Sequence, residues 1–246
     1  MQQYFINNVN DNQIILSKED HHHTKKVMRF RNGDQVICVD QQKQMYLCSF
    51  VSVEEGILQV DEIIEGSREL DVPVTLIYSL PKGDKFELVL QKSCELGVKR
   101  IVPMLSKRCI VKTNKEKFAR KMDRYQRILK EAAEQCHRNI IPEITNVISP
   151  SEIKEHLGDY NVVAYEEMAR ENSHHDFFHV LKQIQSGQSI TIIIGPEGGF
   201  EVDEIENMKE LGILPCSLGK RILRSETAPL YMLSVIGYSR EIASWD

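Results

Sequence analysis

The hydrophobic pattern of the chain changes character near residue 72. Before that point, short alternating segments separated by turns rich in Asn, Asp and Gly predict strands. Five strands are expected, at residues 4–9, 13–17, 34–40, 45–53 and 56–64. A helical segment capped by Asp20 is predicted between the second and third strands. The pattern indicates a small all-β barrel or sandwich over residues 1–72.

After Pro73 the pattern alternates between apolar strands and amphipathic helices. Strands are expected at residues 74–80, 100–105, 161–167, 190–194 and 215–219, and helices over residues 83–97 and 114–138. Two strands joined by a helix form a βαβ unit, so residues 73–246 are predicted to form an α/β domain. A length of 246 residues is natural for two domains.

Charge is distributed unevenly along the chain. Residues 1–72 have a net charge of −5, residues 73–142 have +9 and the remainder has −9. A basic block within an acidic protein offers a polyanion a local binding surface. The same charges could equally form solvated helix faces, so composition alone leaves both interpretations open.

Cysteine spacing and the first residues indicate the compartment. The six cysteines include no CxxC pair, which favours reduced thiols over a zinc site or a disulfide scaffold. The sequence MQQYFINNVN lacks the features of a signal peptide, and no apolar run reaches membrane length. We therefore expect a cytoplasmic protein without membrane contact.

Histidines are the only conspicuous candidates for metal ligands. His175 and His179 have i, i+4 spacing, but no HExxH glutamate accompanies them. The run from His21 to His23 favours helix packing or RNA contact over metal binding. No catalytic metal is predicted.

The segment ITIIIGPEGGF, residues 190–200, leads from a buried strand into a turn with three glycines. A phosphate loop needs a lysine and a hydroxyl after the glycines, whereas Phe200 and Glu201 follow Gly199. Glu197 and Glu201 would also place negative charge where a phosphate would lie. The turn therefore predicts a ligand without phosphates, neutral or cationic near the loop.

A second strand enters a glycine turn in PCSLGKRILRSETAPL, residues 215–230. Ser225 is predicted to cap the next helix, with Glu226 in its first turn. Two such loops at neighbouring strand ends form a crevice, the usual ligand position in an open α/β sheet. Ile222 and Leu223 could pack against an adenine face. Alternatively, these apolar residues belong to the core, Ser225 and Glu226 only cap the helix, and the arginines are surface charges.

The motifs IIIGPEGGF and LGKRILRSETA resemble the signature of the bacterial RsmE family, the 16S ribosomal RNA uridine-N3 methyltransferases of the SPOUT superfamily. The resemblance covers the whole chain, because YFINN, HHHTKKVMRFRNGD, QKSCELGVKRIVP and EAAEQCHRNIIPEI follow in the family's order. It implies an N-terminal PUA-like β-barrel that holds RNA, a SPOUT α/β domain with a C-terminal trefoil knot, and a homodimer. The knot follows from the resemblance alone, since topology rules disfavour threaded chains.

The resemblance also implies S-adenosyl-L-methionine as the methyl donor, which agrees with a ligand that lacks phosphates and has a cationic sulfonium. The cofactor contacts that it implies are Gly195, Gly199, Leu218, Gly219, Ile222 and Leu223. The loop near Glu166 is a further candidate.

Methylation of uridine N3 requires the weakly acidic N3 proton to leave. Glu197 is predicted to act as the base or as a hydrogen-bond acceptor for the substrate. A structural role, in which Glu197 accepts N–H groups of the turn, is an equal alternative. Arg224, and next Arg221, are expected to stabilise the developing anion or to hold an RNA phosphate.

The expected substrate is 16S ribosomal RNA, presented within the 30S subunit, and no DNA partner is expected. A paired uridine has its N3 edge occupied, so the target must be unpaired or flipped out. Phosphate contacts are predicted at Lys26, Arg29, Arg31, Lys82, Lys92, Arg108 and Arg138. Two alternatives stay open: another SPOUT enzyme acting on transfer RNA or a ribose 2'-hydroxyl, and an RNA-binding ribosome assembly factor without turnover.

Overall fold

The computed structural model describes residues 1–169 and 175–243. The chain forms two compact units. The first comprises Met1–Glu69 and Ala133–Ile140, and the second comprises Leu70–Ala132 and Ile141–Asp246. The functional division at residue 72 stays a prediction, and the sequence pattern does not indicate that residues 133–140 join the first unit.

The first unit contains a five-stranded sheet. Its strands are β1 (Gln3–Phe5), β2 (Gln13–Ile15), β3 (Gln35–Val39), β4 (Met45–Ser52) and β5 (Ile57–Ile64). The order is β1-β3-β4-β5-β2, in which β1 is parallel to β3 and the other pairs are antiparallel. Inward-facing residues of these strands form the core, including Tyr4, Ile14, Val36, Phe50 and Leu58. All five predicted strands are confirmed, although β1 is shorter than expected.

The helical segment between β2 and β3 begins earlier than predicted. Helix α1 (Lys18–His22) is capped by Ser17, whose Oγ accepts a hydrogen bond from the Asp20 backbone N–H at 3.1 Å. The predicted cap at Asp20 is therefore wrong, because the Asp20 side chain is buried and accepts a bond from the Ser17 hydroxyl at 2.7 Å. A π-helical turn (His23–Met28) follows, and Arg29 ends it with a left-handed φ of 56°.

Residues 133–140 join the first unit through a buried polar network. The Arg138 guanidinium bonds the Glu69 carboxylate, with Nε 3.1 Å from Oε2, and the Arg138 side chain is only 3% exposed. Gln3 donates to the Arg138 carbonyl oxygen at 2.8 Å, and the Asn139 N–H donates to Glu69 at 3.0 Å. Buried charges persist when they are paired and hydrogen-bonded. The prediction that Arg138 contacts an RNA phosphate is therefore corrected to a structural role.

The second unit contains a six-stranded parallel sheet. Its strands are β6 (Val74–Ser79), β7 (Arg100–Met104), β8 (Glu143–Ile144), β9 (Tyr160–Ala164), β10 (Ile190–Ile194) and β11 (Leu214–Cys216). Their order is β11-β9-β10-β6-β7-β8. Every residue of β10 is buried, as expected for a parallel strand covered on both faces. The five predicted strands are confirmed, whereas the short edge strand β8 was not predicted.

Strand β10 lies between β6 and β9. Ile190 is aligned with Val74 on one side and with Tyr160 on the other. Because all six strands are parallel, the loops after β6, β7, β9, β10 and β11 gather at one edge of the sheet. Open α/β sheets bind their ligands at this carboxyl edge.

The remaining helices are α2 (Lys85–Glu95), α3 (Lys115–Ala119), α4 (Met122–Gln135), α5 (His175–Gln183), α6 (Val202–Glu210) and α7 (Thr227–Glu241), with 3-10 helical segments at Pro150–His156 and Glu166–Ala169. The single helix predicted over residues 114–138 is two helices. Phe118 of α3 and Tyr125 of α4 both pack against Phe86 of α2. His137 ends the run with a left-handed φ of 62°. Among the helices described, none is long and apolar enough to span a membrane.

Candidate active site

A cavity of about 490 Å³ opens at the carboxyl edge of the parallel sheet. Its main walls are residues 194–200 and 217–226, which follow β10 and β11 and contain the two glycine turns. Residues 164–167 after β9, together with Lys85 and Arg108, complete much of the lining. The volume falls within the range of small-molecule sites, about 300–1,000 Å³. The structure thus brings together the two loops that the sequence analysis paired.

The first glycine loop bends tightly around Phe200. A Cβ added to Gly195 would lie 3.1 Å from Cε2 of the buried Phe200 ring, and Gly199 has a left-handed φ of 69°. Close approach therefore favours glycine at position 195, and backbone conformation favours it at position 199. Helix α6 begins at once, because Glu201 and Glu204 form a reciprocal capping box.

Arg108, which follows β7, holds this loop. Its Nε and Nη2 donate to the two carboxylate oxygens of Glu201 at 2.8 and 2.9 Å, and its Nη1 donates to the Gly198 carbonyl oxygen at 2.8 Å. Hydrogen bonding to the guanidinium lowers the pKa of Glu201. Bidentate pairing of this kind fixes geometry as well as charge. The contacts favour a loop-positioning role for Arg108 over the predicted contact with an RNA phosphate.

The second glycine loop presents an apolar edge to the cavity. Ile222 is 80% exposed, so the alternative that it belongs to the core is wrong. Leu218 and Leu223 are half-buried and line the cavity. Gly219 has a φ of 107°, and its N–H donates to Ser217 Oγ at 3.1 Å. All six predicted cofactor contacts thus line one cavity, although their binding role stays a prediction.

Ser225 does not cap helix α7 as predicted. The helix begins at Thr227, whose N–H donates to the Arg224 carbonyl oxygen at 2.9 Å. The Ser225 side chain is buried instead, where it accepts a bond from the Tyr78 hydroxyl at 3.5 Å and donates to Glu226 at 3.4 Å. The Ser225 hydroxyl is thus engaged with Tyr78 of β6 and with Glu226, and α7 begins without a side-chain cap.

Lys85, the first residue of α2, lies between the two loops. Its Nζ is 3.3 Å from Oε1 of Glu197 and 3.1 Å from Oε2 of Glu226. Glu197 also accepts the Lys82 backbone N–H at 3.2 Å. Burial opposes ionisation of Glu197, but its own N–H, the Lys82 N–H and the Lys85 ammonium together lower its pKa. A carboxylate with a lowered pKa is a poor proton acceptor, which favours Glu197 as a hydrogen-bond acceptor over a general base.

Arg221 and Arg224 are exposed and line the cavity. Both can therefore reach a bound substrate, although their roles toward the developing anion or an RNA phosphate stay predictions. The segment after β9 adds carboxylates to the lining, since Glu166 and Glu167 are exposed there and Glu167 accepts a hydrogen bond from the Tyr165 hydroxyl at 2.9 Å. The candidate loop near Glu166 is thus part of the cavity wall.

The other residues predicted to contact RNA differ in their surroundings. Four of them are exposed to solvent: Lys26, Arg29, Arg31 and Lys82. Lys92 is half-buried on α2 and pairs with Glu95 at 2.8 Å. Exposure permits phosphate contact by the first four, whereas the Glu95 carboxylate competes with a phosphate for the Lys92 ammonium. Their role in RNA binding stays a prediction.

The described residues contain no group of three or more His, Cys, Asp or Glu side chains that could hold a metal ion. His175 and His179, which have metal-ligand spacing, are described only in part, because the side chain of His175 lies outside the described residues. The absence of a catalytic metal stays a prediction.

The sequence pattern does not single out Lys85 as a site residue. A lysine in the first turn of an amphipathic helix ordinarily faces solvent, and its partner Glu197 is 112 positions away in the chain. The signal that could have found it is its position just after the buried strand β6, whose carboxyl end faces the same edge as both glycine loops.

Comparisons with known proteins agree with this architecture. A family model described as an RNA methyltransferase domain matches residues 68–237, and one described as an RNA methyltransferase PUA domain matches residues 16–63. Ribosomal RNA small subunit methyltransferase E of Bacillus subtilis (strain 168) is 38% identical, with full coverage of both chains. A crystal structure described only as that of a hypothetical protein has a TM-score of 0.90 and 37% identity, over 98% of this chain and 99% of the other.

A further structure is that of ribosomal RNA small subunit methyltransferase E from Neisseria gonorrhoeae bound to S-adenosyl methionine. It has a TM-score of 0.82 and 27% identity, and the alignment covers 96% of each chain. The two family-model matches, which cover the PUA-like unit and the α/β domain that holds the cavity, identify the chain as an RNA methyltransferase.

The chain belongs to the ribosomal RNA small subunit methyltransferase E family, RsmE. The resemblance stated from the sequence is confirmed, and so is the fold class of a PUA-like domain followed by a SPOUT α/β domain. The trefoil knot stays a prediction.

Proposed function

We propose that this protein transfers a methyl group from S-adenosyl-L-methionine to N3 of a uridine in 16S ribosomal RNA. The observation that supports it most is the cavity built from the two glycine loops, in a chain related along its whole length to a small subunit methyltransferase. Binding of S-adenosyl methionine by the Neisseria gonorrhoeae relative supports the choice of cofactor.

The residues of the cavity suit this cofactor. Exposed Ile222 and half-buried Leu223 offer an apolar surface for the adenine face, and the backbone of the glycine turns offers polar groups for its edge. Among the lining residues, Glu166 and Glu167 are exposed carboxylates that suit cationic sulfonium and ammonium groups, whereas Glu197 and Glu226 already pair with Lys85.

When bound, S-adenosyl-L-methionine supplies an electrophilic methyl group, which N3 takes while the sulfur keeps the electron pair of the broken bond. The protein has to align the uracil ring and dispose of the N3 proton. Glu197 orients the uracil ring by accepting a hydrogen bond from N3–H, and this proton is lost to bulk solvent before N3 attacks. Arg224, and next Arg221, stabilise the negative charge that develops on the ring.

Exposed cations in each unit are the proposed contacts for the RNA backbone. Lys26, Arg29 and Arg31 of the PUA-like unit, and Lys82 at the cavity loop, neutralise backbone phosphates. Such contacts give affinity without sequence information, so the choice of uridine depends on which base can leave its stack and enter the cavity. A target within the 30S subunit, in the cytoplasm, is part of this proposal.

A homodimer is also part of the proposal. A groove of about 280 Å³ between α5 and α7 exposes Phe178, Tyr231 and Tyr238, which are 39%, 42% and 58% accessible. Clustered exposed aromatic residues are typical of protein interfaces. Sedimentation of the protein and of Tyr238→Glu tests this part, because a groove that pairs two copies should yield monomers when it receives a charge.

The test of the activity uses purified protein, S-adenosyl-L-methionine with a labelled methyl group, and 30S subunits from a strain that lacks the gene. Nucleoside analysis should find 3-methyluridine in 16S RNA. A labelled ribose 2'-O-methyl nucleoside, or labelling of transfer RNA only, would overturn the assignment. Calorimetry that finds neither S-adenosylmethionine nor S-adenosylhomocysteine binding would favour an assembly factor, and tight binding of ATP alone would contradict the choice of cofactor.

A further inference from the structure

The ammonium of Lys85 joins two loops whose strands are not neighbours. Glu197 follows β10 and Glu226 follows β11, and β9 lies between these strands in the sheet. No ladder of backbone hydrogen bonds therefore fixes one loop against the other. Contacts of 3.3 and 3.1 Å from one Nζ supply a direct link at the cavity.

The link is partly shielded from solvent. The side chains of Lys85, Glu197 and Glu226 are 35%, 29% and 15% exposed. Each carboxylate has a second tether, since Glu197 accepts the Lys82 N–H at 3.2 Å and Glu226 accepts a bond from the buried Ser225 hydroxyl at 3.4 Å. An ammonium has three N–H donors, and two of them account for both carboxylates.

We propose that Lys85 is a positioning residue for methyl transfer, which holds Glu197 and Glu226 at a fixed separation and keeps Glu197 oriented as an acceptor for the substrate. This inference rests on the proposed function and adds a residue to it. Lys85 acts through the two carboxylates and does not itself touch the reacting atoms. Its loss should therefore reduce alignment in the transition state more than binding of the cofactor.

The kinetic test compares Lys85→Met and Lys85→Arg with Lys209→Met. Lys209 is a matched control, since it pairs with Glu206 at 2.9 Å on α6 and does not line the cavity. We expect Lys85→Met to lower kcat by about 10- to 100-fold, as small misplacements of aligned groups do. KM for S-adenosylmethionine should change less than about 3-fold, and Lys85→Arg should recover at least part of kcat.

The pH profile separates positioning through Glu197 from a general loss of structure. The charged or titratable groups that act on Glu197 and Glu226 include Lys85 of α2, Arg224 of the second loop and Tyr78 of β6. Because Lys85 contributes to lowering the pKa of Glu197, its removal raises that pKa. The acidic limb of the kcat profile should therefore move to higher pH in Lys85→Met and return toward lower pH in Lys85→Arg.

Amide hydrogen exchange, measured with bound S-adenosylhomocysteine, tests whether Lys85 links the two loops and does not require turnover. Residues 195–201 and 217–226 should exchange faster in Lys85→Met than in the parent and the Lys209→Met control. Unchanged exchange in both loops, or a kcat and pH profile equal to those of the parent, would overturn the proposal.

Equal losses in kcat and S-adenosylhomocysteine affinity, with no shift of the acidic limb, would also overturn it, because they would assign Lys85 a merely structural role. A parent protein that binds S-adenosylhomocysteine but methylates no small-subunit RNA would instead refute the proposed function, and the exchange experiment would still decide whether Lys85 links the loops.

Discussion

The guanidinium of Arg108 donates a hydrogen bond to the carbonyl oxygen of Gly198 at 2.8 Å while it pairs with both carboxylate oxygens of Glu201. The loop after β7 thus fixes the glycine turn after β10. A Cβ added to Gly198 would lie 3.3 Å from Cβ of Arg108, so the close approach of these residues also favours glycine at this position.

Replacement of Arg108 by Ala should weaken cofactor binding. Loss of the three hydrogen bonds releases the first glycine loop, so we expect the Kd for S-adenosylhomocysteine to rise about 5-fold or more by calorimetry. The salt dependence of RNA affinity should stay that of the parent. If the slope of log affinity against log salt concentration fell by about one while cofactor affinity stayed unchanged, Arg108 would be a phosphate contact and would not position the loop.

Ile222→Ser should weaken cofactor binding without lowering the thermal stability of the protein. Because the Ile222 side chain is 80% exposed, its loss should leave the thermal midpoint within about 1 °C of the parent. Its removal from an adenine-binding surface should raise the Kd for S-adenosylhomocysteine about 5- to 20-fold. Ile63→Ser, at a position 53% exposed in the first unit, is the matched control and should change neither quantity.

Glu197→Gln and Arg224→Ala should lose turnover while still binding the cofactor. We expect kcat on 30S subunits to fall at least about 10-fold in each, because alignment and charge stabilisation act in the transition state. Burial opposes ionisation of Glu197, but its own N–H, the Lys82 N–H and the Lys85 ammonium lower its pKa overall, so any acidic limb that its protonation gives the parent profile should lie at lower pH than for an ordinary glutamate. A variant with an unchanged methylation rate would remove its residue from the scheme.

Arg138→Ala should destabilise the protein without touching the cavity. Removal of the guanidinium leaves the Glu69 carboxylate partly buried without its partner, which costs about 3–5 kcal/mol in comparable pairs. Urea unfolding followed by circular dichroism should measure the loss. Arg124→Ala removes an exposed pair with Glu87 and should not move the unfolding midpoint. If Arg138→Ala had normal stability and weakened RNA binding, the residue would be an RNA contact and would not have the structural role.

Local patterns were sufficient to predict most strands. Alternation of apolar and polar residues predicts β3 to β5, because burial on one face of a sheet leaves this pattern in the sequence. The continuous apolar run of Ile190–Ile194 predicts β10, because this strand is buried on both faces. The helix over residues 114–138 was harder to predict, since its apolar spacing continues across the break between α3 and α4. The break lies at residues 120–121, between Phe118 and Tyr125, which both pack against Phe86.

The site was predicted in outline and not in its connections. The glycine turns have their own signature, and exposed Ile222 agrees with the predicted pocket wall. The links made by Lys85 and Arg108 join residues about 90 to 140 positions apart, for which one sequence offers no spacing rule. The burial of Arg138 was missed because basic residues are ordinarily solvated and because its partner Glu69 lies 69 positions away in the chain.

The insertion of β10 between β6 and β9 has a consequence for synthesis of the protein. Strand β6 can pair with β7 early, but its partner on the other side, β10, leaves the ribosome more than 100 residues later, and the second wall of the cavity follows later still. A nascent chain can therefore complete its PUA-like strands early, whereas methyl transfer begins only after residues 217–226 have emerged and docked. Translation itself thus delays the enzyme until nearly the whole chain is made.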